Sequence, residues 1–312
     1  MSPRPRRCHA FVISCTAVYL ASGVHHSGSM KPNDLNAELT QWIIEQARAG
    51  CDPRGVTASM QAQGWAEQDA IDAVEVTMRA FLSDHAREHG LPAPVVVPAP
   101  IELNGPAVLH AEDRRVHLLA QLMHPRVIVF GNVLSDQECD ALMGLARARL
   151  APSPVFNPDT GADEAHEART SEGMFFRRGE NELCTRIESR IAALLNWPLE
   201  NGEGLQVLRY GVGAEYKPHY DYFDPDRPGA DVALRRGGQR VASLVMYLNT
   251  PAQGGATIFP DARFEVAPVK GNAVYFSYDR PHAMTATLHG GAPVLEGDKW
   301  VATKWLRERR HD

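Results

Sequence analysis

Cysteine is sparse and unpaired in this sequence. The five cysteines, Cys8, Cys15, Cys51, Cys139 and Cys184, are odd in number and never form a C-x-x-C pair. That pattern excludes a disulfide framework and a cysteine zinc site as organising features, and it suits a reducing compartment. Positive charge is also in short supply, with 32 Lys and Arg against 38 Asp and Glu and a formal net charge of -6. Arg235-Arg236 and the cluster from Arg307 to Arg310 are short and read as solvated faces, so no nucleic-acid partner is expected. Long apolar runs are missing as well. The stretch from Ala10 to Val24 is broken by Ser14, Cys15, Thr16 and Tyr19, too short to span a bilayer comfortably, and no membrane partner is expected.

What is present describes a globular protein: 312 residues, 44% hydrophobic and 22% charged, room for one large domain or two smaller ones. Residues 1–34 form a disordered or targeting-like segment. Arg4, Arg6 and Arg7 before the short apolar run give it the outline of a signal peptide; the competing reading starts the working protein at Met30. Residues 35–90 read as a small helical domain. Leu39, Trp42, Ile43 and Ala47 recur at helical steps, Val56 to Gln63 makes a second helix, and Ala70, Ile71, Val74, Met78 and Phe81 mark a third. Its Gly64-Trp65 turn resembles that of ubiquitin-associated bundles; the plainer reading is an accessory domain packed on the rest. Residues 91–106, with Pro92, Pro94, Pro98, Pro100 and Pro106, form a stiff linker.

Residues 107–312 carry the remaining pattern. Glu112 to Met123 reads as a helix and Arg126 to Phe130 as a buried strand. Ser135 with Glu138 three residues on is a capping box, opening a helix with Leu142, Leu145 and Ala146 inward. A further helix runs from Glu182 to Leu195, and Ser153 to Gly173 between them reads as a mobile lip. Beyond Gly204, short strands alternate with Gly, Pro and Asp turns, which fits a sandwich or a barrel.

Within that strand region one constellation carries chemistry. His219 and Asp221 are two residues apart, so on a strand they face the same way, roughly 7 Å apart at Cα. With a histidine from a distant strand, His289 or its rival His282, they would make a 2-His-1-carboxylate triad, which holds Fe(II) by one face. Lys299 then opens an alternating run in which Lys299, Val301, Thr303 and Trp305 share a face. A lysine facing an interior needs an anion, and a dicarboxylate would supply one.

Ordered blocks surround these residues: Leu205 to Tyr210, Tyr216-Lys217-Pro218-His219-Tyr220-Asp221, Gly238 to Ala242, Met246-Tyr247-Leu248-Asn249, Gly254 to Pro260, and Pro293 to Trp300. Together they resemble the catalytic domain of prolyl 4-hydroxylases, of the alpha-subunit type, within the Fe(II)- and 2-oxoglutarate-dependent dioxygenases. The likeness reaches back to about Arg126. It implies an α+β fold: a double-stranded β-helix, or jelly roll, with buttressing helices, preceded here by the small helical domain. It implies Fe(II) held by His219, Asp221 and His289, His289 being preferred because it precedes Lys299 by ten residues. It further implies 2-oxoglutarate and O2 as cosubstrates and ascorbate as reductant. By the same resemblance Lys299 pairs with the cosubstrate's distal carboxylate, Tyr210 and Thr257 hydrogen-bond to it, and Trp305 walls the pocket. Tyr216 and Arg240 line a groove for a protein or peptide substrate containing proline. A free amino acid or other small molecule as substrate, or a non-catalytic metal-binding sensor module, are the alternatives. A cytoplasmic location is expected, where 2-oxoglutarate and Fe(II) are at hand, with export the alternative should the first residues be a true signal peptide. Two departures and one further match complete the resemblance. Ala256 stands where relatives often carry an acidic residue, Asp224 to Gly238 looks like an inserted lid, and Arg169-Thr170-Ser171 matches a family block without a readable role.

Overall fold

The computed structural model describes residues 35–100, 105–153, 155–157, 162–164 and 170–312. The readings made of residues 1–34 and of Arg169, and part of that made of the segment from Ser153 to Gly173, fall outside them. The chain divides into two units between Pro94 and Val95.

Local capping explains the first unit's helices. Asn36 accepts a hydrogen bond from Leu39 N (2.7 Å) at the start of α1 (Ala37–Arg48), and Asp52 accepts from Arg54 N (2.8 Å) ahead of α2 (Pro53–Ala62). The third helix, α3 (Glu67–Glu88), is longer. Leu39, Ile43, Val56, Met60, Ala70 and Val74 are the heart of the shared core. Ile71, expected inward, is 39% exposed, because the buried stripe of α3 runs through Ala70, Ala73, Val74 and Thr77.

The second unit begins inside the proline-rich stretch. Val95 N–H donates to Asp279 O (2.7 Å) and the Tyr275 hydroxyl donates to Pro98 O (2.6 Å), so residues 95–98 are fastened to it. The helix expected from Glu112 to Met123 is instead a hairpin arm. β1 (Val108–Ala111) and β2 (Arg114–Leu122) pair antiparallel across a two-residue turn, Glu112-Asp113, with Glu112 at φ 54°. Such a turn normally announces itself with Asn or Gly, and here it does not. A bulge between Leu118 and Ala120 also shifts the alternation, leaving Leu119 54% exposed and mimicking helical spacing.

β3 (Arg126–Gly131) follows, then α4 (Asp136–Arg147) with both halves of the Ser135–Glu138 capping box formed. Leu142 and Ala146 of α4 are buried, whereas Leu145 is 48% exposed on its outer side. β4 (Ala151–Pro152), the small β5 (Val155–Asn157) and β6 (Ala162–Glu164) ladder, and β7 (Glu172–Phe176) lead into α5 (Glu182–Leu195). The strands that frame the site come next: β8 (Leu205–Tyr210), β9 (Tyr216–His219), and, after a short helix α6 (Ala230–Arg235), β10 (Arg240–Tyr247). β11 (Gln253–Gly254), β12 (Thr257–Phe259), β13 (Phe264–Val266), β14 (Ala273–Ser277), β15 (His289–Gly291), β16 (Val294–Glu296) and β17 (Lys299–Arg307) complete the chain.

Two principal antiparallel sheets form the jelly roll expected, beside the two-stranded pairs β11–β16 and β5–β6. The large one has the order β1-β2-β3-β14-β10-β17-β8-β7-β4 and the small one β13-β12-β15-β9. α4 and α5 cover the outer face of the large sheet, where Leu142, Ile187 and Ile191 meet Leu244, Trp300 and Ala302. A second core, including Phe259, Phe276, Val274 and Val301, fills the space toward the small sheet. Every residue of β17 is therefore buried, one set under helices and the other facing the inter-sheet space. The segment from Asp224 to Gly238, expected as a lid, is tied to the end of the chain. Arg307 donates to Gly238 O (2.7 Å) and Ala233 O (3.0 Å), and Arg309 N donates to Gly237 O (2.9 Å).

One ionic cluster locks α4, α5 and the β1–β2 turn together. Arg190, 1% exposed, donates to Glu138 Oε2 (2.9 Å) and Oε1 (2.7 Å), to Asp113 Oδ1 (2.7 Å) and Oδ2 (2.6 Å), and to Val133 O (2.9 Å). Burial pushes the Glu138 carboxyl up, but the Arg190 guanidinium and the Ser135 N–H outweigh it and bring it down to about 2. Removing the cation strips the buried Glu138 carboxylate of its two shortest ionic contacts, with Arg186 (3.2 Å) and Arg114 (3.9 Å) left beside it. Arg190→Met is expected to lower stability at neutral pH by about 3–5 kcal/mol, read from urea unfolding. Because Glu138 is depressed from 4.5, its contribution is present above that pH and is lost as pH falls toward about 2. The acid loss should be smaller in the variant than in the natural chain.

Candidate active site

β9 and β15 are neighbours in the small sheet, and their register sets His219 directly opposite His289. Asp221 lies two residues past the end of β9 and is 8% exposed. Its Oδ1 is 3.4 Å from His219 Nε2 and its Oδ2 3.5 Å from His289 Nε2. Each imidazole is held from behind by a backbone carbonyl two residues earlier: His219 Nδ1 lies 2.9 Å from Lys217 O, and His289 Nδ1 lies 3.0 Å from Thr287 O. A carbonyl only accepts, so both Nδ1 atoms carry the proton and both Nε2 lone pairs turn toward Asp221. Two imidazoles and one carboxylate converging on a point are a donor set suited to a divalent cation, and the residues present fit Fe(II). Gly290 permits the approach of the two strands; a Cβ there would stand 2.8 Å from Tyr216 O.

The charges agree with that use. Burial pushes Asp221 up, yet the facing His289 and His219 outweigh it and hold its carboxyl well below the usual range. Burial drives His289 down to about 4 against the pull of Asp221, so it is neutral at physiological pH. Behind the carboxylate, Ser243 Oγ donates to Asp221 Oδ2 (2.6 Å) and lies 3.0 Å from the Tyr278 hydroxyl. Ser243 escaped the sequence reading, although a lone serine inside the apolar run Val241 to Met246 was a usable signal. His282 takes no part: its Nδ1 accepts from Met284 N (3.1 Å) and caps a single turn.

Across the inter-sheet space, β17 supplies the opposite wall. Lys299, Val301, Thr303 and Trp305 face a cavity of about 460 Å³ including its open mouth, with Tyr210 from β8 and Val245 from β10 beside them. Tyr216, His219, Thr257 and His289 close the other side. Lys299 is 4% exposed and no hydrogen bond or ion pair holds its Nζ among the described residues. It sits 5.5 Å from the Tyr210 ring centroid and 5.9 Å from that of Tyr247, and burial brings it down to about 8. A buried ammonium with no protein partner fits a ligand carboxylate. Thr257 lines the same end, its Oγ1 accepting from the Tyr247 hydroxyl (2.8 Å), a support the sequence reading missed.

Tyr216 and Arg240 diverge. Strand alternation would turn Tyr216 away from His219, but an irregularity in the β9–β15 register brings it round, and its ring stacks on His219 at 3.7 Å. Arg240 does not line the cavity. Its Nε and Nη2 donate to Glu203 (2.7 and 2.9 Å), Nη1 reaches Asp221 O (3.4 Å), and the guanidinium lies 4.0 Å from the Trp305 ring centroid. Glu203, which no sequence signal singled out, claims this cation, so Arg240 backs the cavity wall.

Comparison with known proteins bears on the same region. Residues 205–307 match the sequence model of the 2OG-Fe(II) oxygenase superfamily. Prolyl 4-hydroxylase 5 of Arabidopsis thaliana is 41% identical over 203 residues, 58% of this chain and 68% of that protein. Probable prolyl 4-hydroxylase 3 of the same plant is 39% identical over 58% of this chain and 69% of its own length. Among solved structures, the viral collagen prolyl hydroxylase of Paramecium Bursaria Chlorella virus-1 is 31% identical, with a TM-score of 0.46 over 58% of this chain and 95% of that one.

The orphaned lysine has a measurable consequence. Its pKa falls from 10.5 to about 8, so the unfolded chain binds the extra proton between those values. Stability from this group therefore rises as pH climbs from about 8 to 10.5, and the destabilisation is complete below about 8. Lys299→Met is expected to stabilise the ligand-free protein at pH 7 by about 1–3 kcal/mol, and the advantage should shrink toward pH 10.5. Thermal unfolding across that range checks it.

Proposed function

This chain belongs to the prolyl 4-hydroxylase family of the 2OG-Fe(II) oxygenases, and on that premise we propose that it hydroxylates prolyl residues in an extended protein segment, with His219, Asp221 and His289 as the iron ligands. It is an Fe(II)- and 2-oxoglutarate-dependent dioxygenase. The observation that carries the residue assignment is the pairing across one cavity of a His-Asp-His cluster with a buried lysine that has no protein counter-ion. When bound, iron with 2-oxoglutarate and O2 supplies the oxidation: one oxygen atom goes to succinate as CO2 leaves, the other to a prolyl C–H bond, and ascorbate keeps the metal reduced.

The protein's part is placement. His219 and His289 would offer Nε2 and Asp221 its carboxylate, whose orientation Ser243 fixes by donating to Oδ2. Lys299 pairs with the distal carboxylate of 2-oxoglutarate, with Thr257 and Tyr210 as hydroxyl donors and Tyr247 fixing Thr257 from behind. Val245, Val301 and Leu208 keep water away from the reacting end. Tyr216 and Trp305 provide aromatic surface on which a proline ring packs, which suits a peptide whose free carbonyls lie outside the cavity. Arg240 acts on substrate only through the wall it supports. A cytoplasmic location is part of the proposal, in keeping with the free cysteines Cys139 and Cys184. Detection of an exported, processed chain would overturn it.

Two measurements test the reading. Succinate formation should be much faster with a short proline-containing peptide than with free L-proline at equal concentration; the reverse preference would move the substrate to the small-molecule class. Ser243→Ala should weaken binding of Mn(II), used as a redox-silent probe and followed by electron paramagnetic resonance, by about 10–100-fold. Unchanged Mn(II) affinity would remove Ser243 from the support of Asp221.

A further inference from the structure

A second set of metal-ligand atoms lies in the first unit, at the C-terminal end of α3. Phe81, His85 and His89 stand four residues apart on one face of that helix. The Phe81 and His85 rings stack with centroids 6.2 Å apart, and His85 and His89 follow at 4.1 Å. Phe81 is covered in turn by the Arg48 guanidinium of α1, 5.2 Å from its centroid. The two histidines are exposed to solvent, yet the ring ladder restricts them to one side of the helix.

Ligand atoms of His85, Glu88 and His89 all lie within 4.8 Å of one another. His89 Nδ1 is 2.8 Å from His85 O. A carbonyl only accepts, so Nδ1 holds the proton and Nε2 keeps the lone pair, as for both histidines of the active site. Glu88 has no ion pair or hydrogen bond among the described residues, while its neighbour Arg87 is committed to Asp84 at 3.0 Å. The last carbonyls of a helix carry partial negative charge, and Glu88 adds a full one there. A divalent cation would offset both.

We propose that His85, Glu88 and His89 form a second divalent-metal site, on the surface of the first unit and separate from the iron site. Two imidazoles and one carboxylate favour a late first-row cation such as Zn(II) or Ni(II) over Mg(II) or Ca(II), which prefer all-oxygen shells. Held at residues i, i+3 and i+4, the ion cross-links the last turn of α3.

The test uses the full chain freed of metal and titrated with Ni(II) by calorimetry. His85→Ala/His89→Ala should bind one ion fewer than the natural chain, with helical content and prolyl hydroxylation under added Fe(II) unchanged. The Asp221→Ala chain should keep the ion that the double variant loses, which separates this proposal from the iron assignment. Equal Ni(II) stoichiometry in the natural chain and the double variant would overturn the site. Glu88→Gln should weaken the same class of binding; unaltered affinity would strike Glu88, and with it the three-ligand site. Ca(II) in place of Ni(II) should give no difference between the natural chain and the double variant, and a difference would contradict the stated ligand chemistry.

Discussion

Two lysines five residues apart on β17 both lose their water when that strand is buried on two faces. Lys304 points under α5, where Glu188 accepts its proton-bearing Nζ at 2.5 Å. Lys299 points into the cavity, where no carboxylate of the described residues pairs with its Nζ. An ammonium in that position costs stability unless an anion arrives, and the fold tolerates the cost because the helices and both cores support the strand around it. On the proposed reading, the same burial that penalises Lys299 would strengthen its pairing with a ligand carboxylate. The site is thus preorganised by a charge held waiting, and the remaining groups are arranged about it.

The metal-ligand cluster follows a parallel logic. His219 closes β9, His289 opens β15 and Asp221 lies two residues beyond β9, so none of the three sits in the middle of a ladder. Orientation is imposed from behind, by the Lys217 and Thr287 carbonyls on the imidazoles and by Ser243 on the carboxylate. Arg240 extends the support another layer, joining Glu203, Trp305 and the Asp221 backbone. A residue expected to meet substrate instead braces the cavity wall, because Glu203 holds its guanidinium through two hydrogen bonds.

Much of this was legible in the chain beforehand. Alternation along Lys299 to Trp305 placed four side chains on one face, and all four line the cavity. The Ser135–Glu138 box and the helix from Glu182 to Leu195 were equally plain, since caps and helical apolar spacing are local signals. The β1–β2 hairpin was not, because its turn lacks Gly or Asn and a bulge gives its strand helix-like spacing. Tyr216 does line the cavity as expected, although simple alternation would have turned it away; the irregularity in β-sheet register that brings it round is a property of two strands and is written in neither alone.

By itself, then, the sequence determined the identities that chemistry requires, His219, Asp221, His289 and Lys299, and the periodicity that turns each toward a common interior. Those are consequences of residue type and of backbone geometry over a few neighbours. Which polar groups finished as partners was decided only by the tertiary structure. Glu203 with Arg240, Glu188 with Lys304, Glu138 with Arg190 and Ser243 with Asp221 are joined across 37, 116, 52 and 22 residues of chain. Pairing over such separations depends on how sheets and helices pack, and that same packing left Lys299 without an ionic or hydrogen-bond partner among the described residues.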